Sequence, residues 1–337
     1  MQYRRLGRSG LRVSPLCLGA MNFGERTDVA TAARIVEAAR EAGVNFIDTA
    51  DSYAGGESER MVGRLIASRR DEWVLATKVG NAWPGDPNRG GLSRRWLLRS
   101  VEDSLARLRT DWIDILYLHR DDRETPQEET IHALGDLLRT GRIRYIGLSN
   151  LSTWRLLRFV RLCEQMGVPR PIVCSPYYNA MNRMAEVETI PACVDAGLGV
   201  VPYSPVARGV LSGRYLPGQP VPPDSRVAHN DRRILETEYR SESVAIAQQI
   251  AVHARVRGFE APQFAVAWVL ANRFVSSVLA GPRTLEHWEA YVRALDYPWS
   301  EEDEALVDRH VRAGHPSTPG YIDPKFPVEG RAAATRG

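Results

Sequence analysis

Ile113-Asp114-Ile115-Leu116-Tyr117-Leu118-His119 is a short run of large apolar residues, broken by one acid and closed by an imidazole. It is too short for a helix of ordinary length and rich in β-formers, so it reads as a buried parallel strand with a polar group at its carboxyl end. Seven more runs share this character, at residues 14–18, 46–49, 73–78, 145–149, 172–175, 198–204 and 275–280, each bounded by Gly, Pro or Asp. Helix-length stretches lie between them. Asp28 opens residues 29–42 and Gly43 closes them; Ser93 opens a helix to Leu108 that carries Leu97, Leu98, Val101 and Leu105 on one face. Thr125-Pro126 starts another, with Pro126 at the first helical position and Gly141 past the end, and Ser152, Arg183, Ser241 and Thr284 start the rest. Eight strands alternating with about eight helices leave two α/β architectures, an open doubly wound sheet and a closed (β/α)8 TIM barrel; strand count favours the barrel. Residues 3–6 and 11–13, joined through Arg8-Ser9-Gly10, read as an N-terminal β-hairpin placed to plug a barrel floor. Residues 216–234, after the seventh strand, form a long loop of the kind that usually carries function.

Composition narrows the classes further. The 337 residues are 44% hydrophobic and 25% charged, a mix that buries a large core without disulfides or metals. Basic and acidic residues nearly balance at 44 and 41, which gives no hold on nucleic acid or an anionic membrane. No apolar run approaches the ~20 residues of a membrane span, and Met1–Arg5 lacks the apolar core of a secretory signal. Cys17, Cys163, Cys174 and Cys193 lie far apart among apolar neighbours, so buried reduced thiols and a cytoplasmic location are expected. One barrel domain is expected over residues 1–337, with 313–337 an irregular tail too rich in Pro and Gly for a helix. That tail has three outcomes open to it: folding over the mouth, meeting another subunit, or moving freely. Oligomeric state stays open.

Active groups of such barrels sit at strand carboxyl ends. The second strand ends in Asp48 with Tyr53 five residues on, the third in Thr77-Lys78, the fourth in His119 and the fifth in Ser149-Asn150. Taken singly, Asp48 is a loop cap, Lys78 an ion-pair partner and His119 a structural histidine. Together they form a proton-delivery set. Tyrosine titrates near 10 and is a poor acid–base group at neutral pH; a neighbouring Lys78 ammonium is expected to lower that value, with Asp48 holding the lysine. His119 then hydrogen-bonds and polarises a substrate carbonyl.

These residues carry a resemblance. Gly43-Val44-Asn45-Phe46-Ile47-Asp48-Thr49-Ala50 with Tyr53, Gly56-Glu57-Ser58-Glu59, Thr77-Lys78, residues 114–119 and residues 141–150 (Gly-Arg-Ile-Arg-Tyr-Ile-Gly-Leu-Ser-Asn) resemble the aldo-keto reductase superfamily, over residues 3–295. The resemblance implies the (β/α)8 fold, NAD(P)H-dependent carbonyl reduction and a catalytic tetrad of Tyr53, Asp48, Lys78 and His119. It also extends to potassium-channel β subunits, where bound nucleotide acts as a sensor; a regulatory, nucleotide-binding role is the alternative reading.

No GxGxxG motif follows a strand, so a Rossmann site is not expected. In a barrel, phosphates are held by the loops after strands seven and eight. The first of these, Tyr203-Ser204-Pro205-Val206-Ala207-Arg208-Gly209-Val210-Leu211-Ser212-Gly213-Arg214, offers small residues for backbone approach and two arginines. The second, Gly281-Pro282-Arg283-Thr284, opens a helix, a natural anion site. The resemblance adds nicotinamide stacking on Tyr203, carboxamide contacts from Ser149 and Asn150, and the Arg283 region for the adenosine 2′-phosphate, hence NADPH. Four positions depart from the family pattern: Ser175 in place of Gln at the carboxamide, Arg214 in place of Lys, and His287 with Tyr291 in place of Gln and Asn at the adenosine. They bear on cofactor preference. Met21, Phe23 and Trp83 are the expected substrate contacts, on loops beside the tetrad. No HxH pair or clustered His and Asp ligands support a metal-dependent barrel enzyme. The expected partner is a small carbonyl compound, whose identity the strand ends do not specify.

Overall fold

A computed structural model of the chain describes residues 1–83 and 85–326. Strands β1 (Arg4–Arg5) and β2 (Arg12–Val13) pair antiparallel as the expected hairpin. Eight more follow: β3 (Leu16–Gly19), β4 (Phe46–Asp48), β5 (Val74–Val79), β6 (Ile113–Leu118), β7 (Ile143–Ser149), β8 (Val173–Ser175), β9 (Gly199–Val200) and β10 (Val278–Ala280). They pair in parallel in the order β10-β3-β4-β5-β6-β7-β8-β9. The last seam is closed by bridges from Val200 to Val275 and from Tyr203 to Leu279. There the Ser276 N–H donates to Val200 O at 2.8 Å and the Leu279 N–H to Pro202 O at 2.9 Å. The sheet is a (β/α)8 barrel, and the open-sheet alternative falls.

Period-two alternation sorts each strand between two apolar layers. Cys17, Phe46, Ala76, Ile115, Tyr117, Val173 and Val201 fill the interior together with Leu6 and Val13 of the hairpin. Leu16, Ile47, Leu75, Leu116 and Leu148 face outward into the helices. Those helices are α1 (Val29–Glu41), α2 (Glu57–Ile66), α3 (Arg94–Leu108), α4 (Gln127–Arg139), α5 (Thr153–Gln165), α6 (Thr189–Asp195), α7 (Arg232–Glu236), α8 (Ser241–Val256), α9 (Ala261–Ala271), α10 (Leu285–Arg293) and α11 (Glu301–His310). Asp28, Ser93 and Thr284 accept the N-terminal amides of α1, α3 and α10 as their residue types predict. No helix among the described residues is long and apolar enough to cross a membrane.

Several boundaries differ from the sequence reading. Pro126 is the N-cap of α4 with extended backbone (ψ 133°), one residue outside the helix. Ser241 is the first residue of α8, and Arg183 opens only a 3₁₀ turn before α6. The seventh barrel strand is regular only at Gly199–Val200, because Pro202 and Pro205 have no amide to give a ladder. Helices α9 and α11 open on capping boxes, Glu260 with Gln263 and Ser300 with Asp303, a signal not among the starts read above.

The hairpin closes the floor by backbone approach. Gly7 sits at φ +59°, and a Cβ there would lie 2.5 Å from Gly197 O and Gly199 N and 2.7 Å from Ile172 O. The Gly197-Leu198-Gly199 pair that the sequence shows is thus floor packing. Gly7→Ala is expected to cost about 2–4 kcal/mol, from a left-handed residue and a backbone clash together. A urea midpoint equal to that of the parent protein would show that the floor gives way freely.

Candidate active site

The carboxyl ends of the strands open into one cavity of about 540 Å³. At its base, Asp48 ends β4 and Lys78 lies near the end of β5, the neighbouring strand. Both are buried and form an ion pair. The Lys78 ammonium also donates to Thr49 O at 2.8 Å and to the Tyr53 Oη at 3.3 Å, and lies 4.8 Å from the Tyr53 ring centre. Burial alone would lower the lysine's pKa, but Asp48 and Tyr53 beside it raise it, so it stays charged. Burial raises Asp48 somewhat, against the pull of Lys78.

Tyr53 departs from its expected titration. Burial pushes its phenol above the ordinary value, and Lys78 only offsets part of that rise, Asp48 adding to it. The resting side chain is a neutral O–H facing the cavity, with a cation in place to receive its conjugate base.

His119 follows β6 and meets Tyr53 edge to face, with ring centres 5.8 Å apart. Burial, then Lys78, Lys325 and Arg120, drive its pKa well below the usual value, so the ring is neutral. Asn81 Nδ2, an N–H donor, faces Nδ1 at 3.0 Å and also donates to Ser52 Oγ at 3.0 Å. Nδ1 therefore accepts, and the imidazole proton sits on Nε2. Asn81 lines the cavity and was not among the expected site residues; nothing in a lone Asn after a strand marks it.

Further round the rim, Tyr203 Oη donates to Asn150 Oδ1 at 2.8 Å, and Asn150 Nδ2 donates to His119 O at 2.8 Å and Ser149 Oγ at 2.9 Å. Ser149 Oγ in turn donates to Ser175 O at 2.9 Å. Four strand ends are thereby tied together. Tyr177 packs behind Tyr203 with ring centres 5.3 Å apart, and its hydroxyl bonds the buried Glu238 carboxylate. Ser175 Oγ and Arg208 Nε are buried without partners among the described residues, and both residues line the cavity. The loop after β9 runs through left-handed Ser204, Ala207, Arg208 and Gly209, a tight curl against the cavity wall. At the far arm Asp224 pairs with both Arg214 and Arg283, and the Arg214 contact holds its carboxyl down to about 2.

Most expected site residues meet in this cavity. Tyr53, Lys78, His119, Ser149, Asn150, Ser175, Tyr203, Ser204, Pro205, Val206, Arg208, Gly209, Ser212, Arg214, Gly281, Arg283, His287, Tyr291 and Met21 line it, with Asp48 behind Lys78. Four do not. Phe23 and Leu211 are fully buried in the core. Thr284 caps α10, and Trp83 anchors its loop through Arg89, whose guanidinium lies 5.4 Å from the indole and whose carbonyl accepts the Trp83 N–H at 2.7 Å. Asn22, Tyr215, Ser225, Arg226, Arg233, Lys325 and Phe326 also line the cavity and were not among the expected site residues; Ser225, Arg226 and Arg233 lie in the 216–234 loop expected to carry function, and Lys325 and Phe326 in the tail. Of the three outcomes open to the tail, the described part folds over the mouth; residues 327–337 lie outside the described residues. The four cysteines are free and buried, and no cluster of metal-binding side chains occurs among the described residues.

Barrel, strand-end polar groups and a cleft lined with arginines define an oxidoreductase of the aldo/keto reductase family, and the chain belongs to it: the family model matches residues 15–312. The chain is 34% identical over 330 residues to L-glyceraldehyde 3-phosphate reductase of Escherichia coli K12, covering 93% of each. It is 37% identical over 303 residues to a probable voltage-gated potassium channel subunit beta of Oryza sativa, covering 88% of this chain and 92% of the other. Versiconal hemiacetal acetate reductase of Aspergillus parasiticus is 34% identical over 299 residues, at 81% and 86% coverage. Members of the family act on small carbonyl compounds with NAD(P)H.

One buried acid beside the site stands apart. Asp51 is 1% exposed and no ion pair holds it among the described residues; the Ser52 N–H and the Trp83 indole approach its carboxyl without close hydrogen-bond geometry. Burial and then Glu59 push it up to about 7, with Arg107 opposing. The folded state thus holds a proton that the unfolded chain, with an ordinary carboxyl near 3.9, releases earlier. Stability from this group is therefore full below about pH 4 and drains away as pH rises towards 7. Asp51→Asn is expected to gain about 2–4 kcal/mol at pH 8 and almost nothing at pH 4. Urea unfolding at both values measures it, and an equal effect at both would remove the buried-acid explanation.

Proposed function

We propose that the chain reduces an aldehyde or ketone to the alcohol with NADPH, Tyr53 delivering the proton. The observation that carries this is the Tyr53 hydroxyl 3.3 Å from a lysine held charged by a buried carboxylate, at the base of the cavity. A bound nicotinamide supplies the hydride. When the carbonyl oxygen takes on charge, the neutral Tyr53 hydroxyl donates to it, and the phenolate left behind faces Lys78. His119, protonated on Nε2, donates a hydrogen bond to the same oxygen and polarises the carbonyl. Asp48 keeps Lys78 charged and fixed, and Asn81 fixes the imidazole tautomer.

The cofactor reading rests on the rim. The orphaned Ser175 Oγ suits a carboxamide, for which Ser149 and Asn150 stand alongside. Tyr203, backed by Tyr177, offers an aromatic face. Open space beside Gly209 leaves room for a pyrophosphate against the curled loop and Arg208. Arg283 and Arg214, with His287 and Tyr291 at the same arm, suit a 2′-phosphate, which favours NADPH over NADH. Cavity walls drawn from Met21 to Phe326 support one barrel domain over the described chain. Free buried thiols fit the reducing cytoplasm. The likeness to a probable potassium channel subunit beta supports a second reading, a nucleotide-binding sensor on the same fold.

Tyr53→Phe is expected to lower 4-nitrobenzaldehyde reduction about 10²- to 10⁴-fold while NADPH still quenches tryptophan fluorescence; near-normal turnover would rule out Tyr53 as donor. NADPH binding without turnover of any carbonyl by the unaltered protein would favour the sensor. Arg283→Ala is expected to weaken NADPH about 10- to 100-fold and NADH far less. Equal losses for the two nucleotides would detach Arg283 from the 2′-phosphate.

A further inference from the structure

The cations around the cavity are not equally satisfied. Arg214 and Arg283 share Asp224, Arg226 pairs with Asp231, and Arg233 pairs with Asp323 and Glu236. Lys325 differs. It lines the same cavity, yet no carboxylate lies within ion-pair distance of its ammonium among the described residues, a lack it shares with Arg208 of the loop after β9; the Phe326 ring centre is 6.0 Å away.

Position makes this surplus informative. Lys325 lines the same cavity as Tyr53 and His119 and helps to depress the His119 pKa, whereas Arg120 is exposed outside the cavity lining. Lys325 is also held in place. Arg233 grips Asp323 with two hydrogen bonds, at 2.6 and 3.1 Å, and Asp323 accepts the Lys325 N–H at 2.9 Å. The Asp323 carboxylate is thereby spent on Arg233 and a backbone turn. Tyr321 anchors the same segment by donating to Glu236 O at 2.9 Å, and Arg240 lies 4.1 Å from the Tyr321 ring centre. The ammonium is exposed to solvent yet stands among like charges: partial burial, Arg233, Arg120 and Arg208 depress its pKa, and only Asp323 opposes. Such an arrangement attracts an incoming anion.

We infer that Lys325 forms a subsite for an anionic group, carboxylate or phosphate, carried by the carbonyl substrate. The inference rests on the reductase reading for the word substrate and names the class of compound that site takes. A bound anion of this kind sets the carbonyl at the Tyr53 and His119 end of the cavity.

The test is calorimetric titration, in the presence of NADP⁺, with three probes: methyl 4-formylbenzoate, 4-carboxybenzaldehyde and 4-formylphenyl phosphate. The expected result is that at least one anion binds about tenfold or more tighter than the neutral ester. The preference should collapse to about one in Lys325→Met and persist in Lys325→Arg. Which anion binds better tells carboxylate from phosphate. No preference in the unaltered protein, or an undiminished one in Lys325→Met, overturns the subsite. Turnover with NADPH is scored separately: a Lys325-dependent preference without reduction of any probe would sink the reductase reading and leave the anion subsite standing.

Discussion

Asp48 and Lys78 sit where water does not reach, and neither is tolerable there alone. An isolated buried ion costs several kcal/mol, and removing one member of such a pair typically destabilises by about 3–5 kcal/mol. The strands β4 and β5 are adjacent and in register, so the pair forms only when the sheet is assembled. The residue before Lys78 repeats the arrangement on the other face of the strand. Thr77 Oγ1 donates to buried Glu59 at 2.6 Å, and Glu59 takes Arg107 at 2.6 Å. One strand thus carries a charged anchor inward and is bonded to another outward. Everything nearer the mouth depends on the inward one: it fixes the ammonium, the ammonium fixes the phenol, and the phenol packs on the imidazole.

A second consequence is electrostatic. Positive groups ring the cavity, and most are neutralised by acids of the loop after β9 or of the tail. Asp224, Asp231 and Asp323 each hold one or more arginines. The long segment at residues 216–234 is therefore pinned by ion pairs at its surface, with Arg26 reaching Asp231 as well. Such exposed or half-exposed pairs are individually weak and screened by salt. Their value is in placing the loop, while the two buried layers of apolar side chains carry the stability.

The sequence reading was strongest where chemistry is local. Of the strand-end residues, Lys78, His119, Ser149 and Asn150 reached the cavity with Asp48 directly behind Lys78, since a strand that is buried on both faces can end in a polar group only at its rim; Thr77 turned outward to Glu59. Asp28, Ser93 and Thr284 acted as the caps their side chains suit. What was hidden depends on tertiary contact. Phe23 and Trp83 looked like pocket residues from their place beside the tetrad, yet packing took one into the core and Arg89 took the other. The rise of the Tyr53 phenol follows from burial, which spacing cannot report. Asn81, Arg233 and Lys325 carried no motif, and only folding reveals that a residue near position 325 stands close to one at position 119.

The two ends of this barrel are closed by opposite means, and they are open to change to very different degrees. The floor is sealed by backbone against backbone around Gly7, where even one methyl group has nowhere to go. The mouth is partly walled by Lys325 and Phe326, the last described residues of the chain, on a segment that belongs to no strand or helix. Lengthening, shortening or resurfacing that segment alters what the barrel admits without disturbing a single rung of the sheet. Divergence within such a scaffold can therefore proceed by rewriting this one segment, while the polar groups at the strand ends beneath stay unchanged.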